Sequence, residues 1–134
     1  MKPKFANPLE RDRVLSILQW LQATYPRPHW KWSRVEPPGA IRARANRGKP
    51  GTAWNVPEDA WGNGVADILG IGRPEWWAPG TTSCKAIAIE VKRPGNKQSP
   101  DQLIFQKDWE IAGGLYMVAR DSHEVEAQFK HWGI

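Results

Sequence analysis

At 134 residues with 40% hydrophobic content, the chain can bury one core and is too short for two, so a single compact domain over 1–134 is expected. No run approaches the ~18 apolar residues of a membrane span, and the Lys- and Pro-containing start lacks an apolar signal-peptide core, so a cytoplasmic, non-secreted protein is expected. The net charge of +5 is uneven: Arg27, Lys31, Arg34, Arg42, Arg44, Arg47 and Lys49 face only Glu36 in that stretch, a distribution suited either to a solvated basic loop or to a polyanion such as nucleic acid.

Asn7-Pro8-Leu9-Glu10 combines an N-cap residue type, proline at the first helical position and Glu three after the cap. The run to Ala23 places Val14, Leu15, Ile17, Leu18 and Leu21 on one face of a helix. Tyr25-Pro26-Arg27-Pro28 ends it, because a residue before proline avoids the helical region. Stretches 30–35 and 41–45 alternate as strands do and are split by Pro37-Pro38-Gly39. Gly48, Pro50, Gly51, Pro57 and Gly62 mark 46–63 as a long loop. A short strand is expected over 65–71, a hairpin connection with Pro74, Pro79 and Gly80 over 72–82, and the most apolar strand over 83–92, with the lone Cys84 buried inside it. That single cysteine excludes an internal disulfide and a cysteine-based zinc site.

Residues 94–99 turn the chain into a helix over 100–112, stopped by Gly113-Gly114. Asp108 interrupts the apolar arc of that helix, and nothing in the sequence explains it. A last buried strand over 115–119 leads to Asp121-Ser122-His123-Glu124, with capping-box spacing, and a helix carrying Val125, Phe129 and Trp132 on one side. The expected order is helix, three strands, helix, strand, helix, an α/β arrangement.

The chemistry concentrates at Glu90-Val91-Lys92. Successive strand side chains face opposite ways, so Glu90 and Lys92 share one face about 6.6 Å apart along it. If Asp67 ends a neighbouring strand, two carboxylates and an ammonium meet, enough to hold a hard divalent cation through oxygen and place a positive charge beside it. Charged residues at strand ends are more often simply solvated, and a strand lysine more often just pairs with a neighbour. Against that, Glu90 follows Ile87-Ala88-Ile89, and an acidic group next to buried strand needs a partner. Lys92 would stabilise charge developing on a phosphate or an attacking water. His29, His123 and His131 lack metal-ligand spacing, and there is no phosphate-binding glycine loop. Trp30, Trp32, Trp54, Trp61, Trp76 and Trp77 are numerous. Most tryptophans are core, but two or more are expected to be exposed near the site, where aromatics stack on unpaired bases.

Gly64-Val65-Ala66-Asp67, Ile87-Ala88-Ile89-Glu90-Val91-Lys92, Ser99-Pro100-Asp101-Gln102 and Gly113-Gly114 together resemble the PD-(D/E)XK nuclease superfamily and, within it, the VRR-NUC domain of virus-type replication-repair nucleases. The proline of the superfamily's "PD" dipeptide is replaced by Ala66. The resemblance implies a restriction-endonuclease-like mixed β-sheet flanked by helices, in αβββαβα order, and a Mg²⁺- or Mn²⁺-dependent DNA endonuclease. It implies Asp67, Glu90 and the Val91 carbonyl as metal ligands, with Lys92 as the catalytic cation. It also places a glutamine, here Gln102, close to the metal, and often a first-helix acid, here Glu10. Both have plainer readings, since Ser99-x-x-Gln102 and Asn7-x-x-Glu10 are capping boxes.

Stand-alone domains of this kind resemble small dimeric junction-resolving nucleases, often of phage origin. The resemblance therefore implies a homodimer on branched DNA, with Arg34, Arg42, Arg44, Arg47 and Lys49 gripping phosphates. Two other readings stand beside it: a sequence-specific restriction-type or nicking endonuclease, and a DNA-binding module without catalysis.

Overall fold

A computed structural model describes residues 6–35, 64–74, 76 and 83–134. In chain order the elements are α1 (Ala6–Thr24), β1 (Trp30–Arg34), β2 (Ile68–Gly72), β3 (Lys85–Val91), α2 (Pro100–Ile111), β4 (Leu115–Ala119) and α3 (Ser122–Trp132). The expected strand over 41–45 and the long loop over 46–63 lie outside the described residues. Among the described residues no helix is long and apolar enough to cross a membrane.

The four strands form one mixed sheet in the order β1-β2-β3-β4. The first three pair antiparallel, and β3 pairs with β4 in parallel. Helices flank it on both sides. Ile87, Ile89 and Val91 of β3 point into the larger core with Val14, Ile17 and Leu21 of α1 and with Val125 and Phe129 of α3. Ala88 points the other way, into a smaller cluster with Ala66, Tyr116, Phe105 and Trp109. The period-2 alternation of β3 therefore separates a dry face from a face shared with α2, and Glu90 falls on the latter.

Trp30 and Trp32 belong to the dry core, stacked on each other with ring centroids 5.3 Å apart. They stand opposite Gly72 and Gly70 on β2. A Cβ on Gly70 would run into the Trp32 indole, so glycine on the partner strand makes the room the rings fill.

Several boundaries differ from the sequence expectation. Helix α1 begins at Ala6, so Asn7 lies inside the helix and is not its cap. Strand β2 begins at Ile68, not at residue 65. The cause is Asp67, whose carboxylate Oδ2 accepts the Val91 N–H at 2.8 Å and so takes the place of a backbone ladder bond. Cys84 lies just ahead of β3 and is exposed rather than buried. Helix α2 ends at Ile111 with Ala112 as C-cap and Gly113 at φ 100°, close to the expected stop. Strand β4 falls on 115–119 as expected, and Asp121 caps α3 by accepting the Glu124 N–H at 2.9 Å.

One glycine positions the site. Gly64 has φ +78°, and a Cβ there would press on the Asp101 carbonyl and come within 2.6 Å of the Gln102 amide nitrogen. The chain leading to Asp67 thus lies flat against the first turn of α2. Gly95 also has positive φ, +85°, but nothing stands within 4 Å of its would-be Cβ. Gly95→Ala should therefore cost only backbone strain, about 1 kcal/mol, whereas Gly64→Ala adds a backbone clash and should lie at or above the upper end of the roughly 1–3 kcal/mol range for such positions. Urea unfolding of the two variants side by side measures the difference.

Candidate functional site

The sheet brings Asp67 and Glu90 together at one end. Ile68 pairs with Ile89, so one step further along each chain Asp67 stands opposite Glu90. Asp67 is fixed from both sides: its backbone carbonyl accepts the Val35 N–H at 2.9 Å, and its carboxylate accepts the Val91 N–H at 2.8 Å. The N–H and C=O of a strand residue share an edge, so the Val91 carbonyl faces the same edge as Asp67.

Glu90 is the one buried charged residue among those described, 2% exposed. Its Oε1 accepts the Gln102 side-chain amide at 2.6 Å. Its Oε2 is buried and accepts no N–H, but the Asp67 carboxyl stands within hydrogen-bonding reach of the Glu90 carboxyl, a bond that forms when one of the two is protonated. The Lys92 ammonium lies 3.9 Å from Oε1, on the shared face that strand alternation requires.

Gln102 does two jobs. Its Oε1 accepts the Ser99 N–H at 2.8 Å while Ser99 Oγ accepts the Gln102 N–H at 3.2 Å, a complete capping box at the start of α2. The remaining side-chain N–H bonds are free to reach back, and one holds Glu90. The two sequence readings of this residue are thus compatible: the cap sets the rotamer that aims the amide at the carboxylate.

Burial is the main reason the Glu90 carboxyl is driven up to about 9 from an ordinary 4.5. Asp67 beside it raises it further, by its charge and by a hydrogen bond between the two carboxyls, Lys92 lowers it by less, and Glu10 on α1 is close enough to raise it as well. The structure therefore brings Glu10 into the electrostatic surroundings of the site.

The basic residues are less concentrated there. Arg34 is exposed at the Asp67 end of the sheet, and alternation along β1 puts it on the tryptophan side, away from Glu90. Arg42, Arg44, Arg47 and Lys49 lie outside the described residues, as do Trp54, Trp61 and Trp77. Trp76 is 71% exposed, but it follows the far end of β2 and lines a hollow with Tyr25, Pro26 and Pro74, remote from Asp67. Among the described tryptophans, then, the exposed one is not at the site.

Two contributors escaped the sequence reading. Tyr116 on β4 lies near Glu90: burial raises its hydroxyl pKa most, and the Glu90 charge adds to it. The Gln98 amide donates to the Tyr116 hydroxyl at 3.1 Å and to Gln106 Oε1 at 3.0 Å, closing the floor beneath the carboxylates. Alternation of β4 could have placed Tyr116 on the Glu90 face, but only the parallel pairing of β3 with β4 sets it beside β3.

Among the described residues no group of three or more His, Cys, Asp or Glu side chains converges as metal ligands. The donor set is smaller: Asp67, Glu90 Oε2 and the Val91 carbonyl. Two carboxylates and a neutral oxygen suit Mg²⁺ or Mn²⁺, since small hard cations keep several waters and take one or two carboxylates from the protein.

Comparison with protein-family models, with curated proteins and with solved structures finds no match to this chain.

The raised Glu90 carboxyl has a consequence for stability. A group that is protonated in the folded state and ionised in the unfolded state favours folding fully below its unfolded pKa, near 4.5. That contribution is lost as pH rises toward about 9. In chelator the urea midpoint of the wild type should fall between pH 5 and pH 9, and Glu90→Gln should remove the part of that fall that Glu90 causes. A cation held by the ionised pair would raise the wild-type midpoint more at pH 9 than at pH 5, and adding Mg²⁺ at the two pH values checks this. Identical slopes in wild type and variant would show that Glu90 is not the titrating group.

Proposed function

We propose that this chain is a Mg²⁺- or Mn²⁺-dependent DNA endonuclease of the VRR-NUC type, with the sheet of a PD-(D/E)XK nuclease and a preference for branched DNA. The observation that carries the reading is the buried Glu90 carboxyl, with one oxygen held by Gln102, the Asp67 carboxyl directly beside it, and Lys92 on the same face. A simple structural ion pair accounts for Lys92 but not for two carboxyls set side by side in a buried place.

In this reading Asp67 Oδ atoms, Glu90 Oε2 and the Val91 carbonyl would hold the cation. When bound, the cation supplies a more acidic water and neutralises charge on the phosphate. Gln102 fixes which Glu90 oxygen is available. Lys92 presents positive charge at the phosphate or the attacking water, and it contributes most where negative charge is greatest, in the transition state. Glu10 adds negative charge that favours cation binding. The basic stretch from Arg27 to Lys49 supplies phosphate contacts.

Cleavage of a labelled panel of single strands, duplex, flaps and four-way junctions with Mg²⁺ and Mn²⁺ tests the reading. Branched substrates should be cut fastest. Equal cutting of plain duplex points instead to a restriction-type or nicking enzyme, and binding without any cutting points to a non-catalytic module.

Asp67→Asn and Glu90→Gln should each lower turnover by more than about a hundredfold, the upper figure for losing a mere outer partner of a metal site, while DNA affinity stays within a few-fold. Gln102→Ala should fall in the roughly 10- to 100-fold range of such outer partners. Lys92→Ala should depress kcat by about 10²–10³ and leave binding nearly unchanged. Equal losses in kcat and affinity would make Lys92 an ordinary phosphate contact. Replacing Arg42, Arg44 and Arg47 together should flatten the log–log salt dependence of DNA binding by about 0.9 for each phosphate that is no longer neutralised.

A further inference from the structure

The sheet carries a second concentration of chemistry at the end opposite Asp67. There β1 begins, β2 ends and β3 begins, and beside them lies an open hollow of about 460 Å³. Lys31, Arg73, Ser83 and Cys84 line it together with Trp30 and Ile71, and among the described residues no Asp or Glu does. The hollow is therefore bordered by two full positive charges, a hydroxyl and no carboxylate. Its size falls in the range of small-ligand sites, about 300–1,000 Å³.

Local structure builds this hollow. A Cβ at Gly72 would press on the His29 carbonyl and the Trp30 ring, so glycine lets the end of β2 lie flush against the start of β1. The Arg73 N–H donates to that same carbonyl at 3.1 Å, which anchors the Arg73 backbone at the rim. One guanidinium nitrogen of Arg73, Nη1, is buried without an acceptor among the described residues, and a buried charged donor left in that state gains from the arrival of an anion. Lys31 pairs with Ile71 and Ile71 with Ala86, so strand alternation puts all three on the face of Ala88 and Glu90. Lys31 and Ile71 are both exposed there.

We propose that this hollow binds a nucleotide through its phosphate group. Arginine brings a flat fork of donors that matches two phosphate oxygens, lysine a compact charge and serine a neutral hydroxyl, the side-chain types that hold phosphate in nucleic-acid complexes. A lone phosphate leaves most of the volume empty, and Ile71, 52% exposed, offers apolar surface to the sugar or base attached to it. The site is separate from the carboxyl pair and stands whether or not the chain cuts DNA. One corollary rests on the nuclease reading: a strand crossing the Glu90 face reaches the level of Lys31 about 13 Å from Asp67, at about 3.3 Å for each residue from Asp67 to Ile71, or about four base-pair rises of 3.4 Å.

Cys84, the lone cysteine of the chain, is exposed and lines the hollow, so a bound ligand should slow its alkylation by the neutral reagent iodoacetamide. Measurements in chelator at fixed ionic strength exclude cleavage, so failure here is distinguishable from failure of the nuclease reading. Thymidine 5′-monophosphate or an oligothymidylate strand should slow alkylation several-fold at saturation, and thymidine without phosphate should leave it unchanged. Protection by the mononucleotide assigns the site to free nucleotides, and protection by the strand alone assigns it to a nucleic acid. Lys31→Glu, at an exposed position that leaves the circular dichroism spectrum unchanged, should weaken binding about tenfold or more, and Arg73→Gln should do the same. Lys107→Glu, an equal change of charge on α2 away from the hollow, should not. No protection by either ligand, equal protection by thymidine, or binding indifferent to Lys31→Glu would each overturn the proposal.

Discussion

The hydrogen bond from Gln102 to Glu90, at 2.6 Å, is the interaction on which the candidate site depends. It couples three levels of organisation. Ser99 and Gln102 cap α2 reciprocally, which fixes the side chain of Gln102 before it meets anything in the sheet. The amide then orients the most deeply buried carboxylate of the described chain. Removing the glutamine would at once uncap the helix, release Glu90 and expose it to its like-charged neighbour Asp67. Because Glu90 is dry, each of these losses weighs more than it would in water.

The sheet provides what the helix cannot. Antiparallel pairing of β2 with β3 sets Asp67 opposite Glu90, and parallel pairing of β3 with β4 brings Tyr116 alongside. One face is filled by aliphatic residues and by the Trp30–Trp32 stack and excludes water from behind the strands. The other is lined by small residues, Ala66 and Ala88, which let α2 come close enough for a glutamine to reach a strand carboxylate. Gly64 serves the same close approach from the other side. The site is thus a place where three backbones are packed tightly and the polar groups have few alternatives.

An acidic group held this way is costly to keep ionised. The same burial that raises the Glu90 pKa strengthens its coupling to the charges beside it, Asp67 and Lys92.

The sequence by itself determined the elements with strong local signals. The caps at Ser99 and Asp121, the Gly113 stop, the alternation of β3 and β4, and hence the shared face of Glu90 and Lys92, all follow from interactions within a few residues. It also singled out Asp67, Glu90 and Gln102 as residues of interest, and hydrophobic periodicity named most of the α1 core, though Leu15 is exposed. Tertiary structure decided the rest. That Asp67 replaces a ladder bond and delays β2, that Trp30 and Trp32 are core while Trp76 is not, and that Cys84 is outside β3 all depend on which strand lies beside which. Whether Gln102 merely caps a helix or also holds a carboxylate depends on the distance between two consecutive elements, a strand and the helix that folds back over it. Local propensity carries no information about that distance, because it is set by the volume of the residues packed between them.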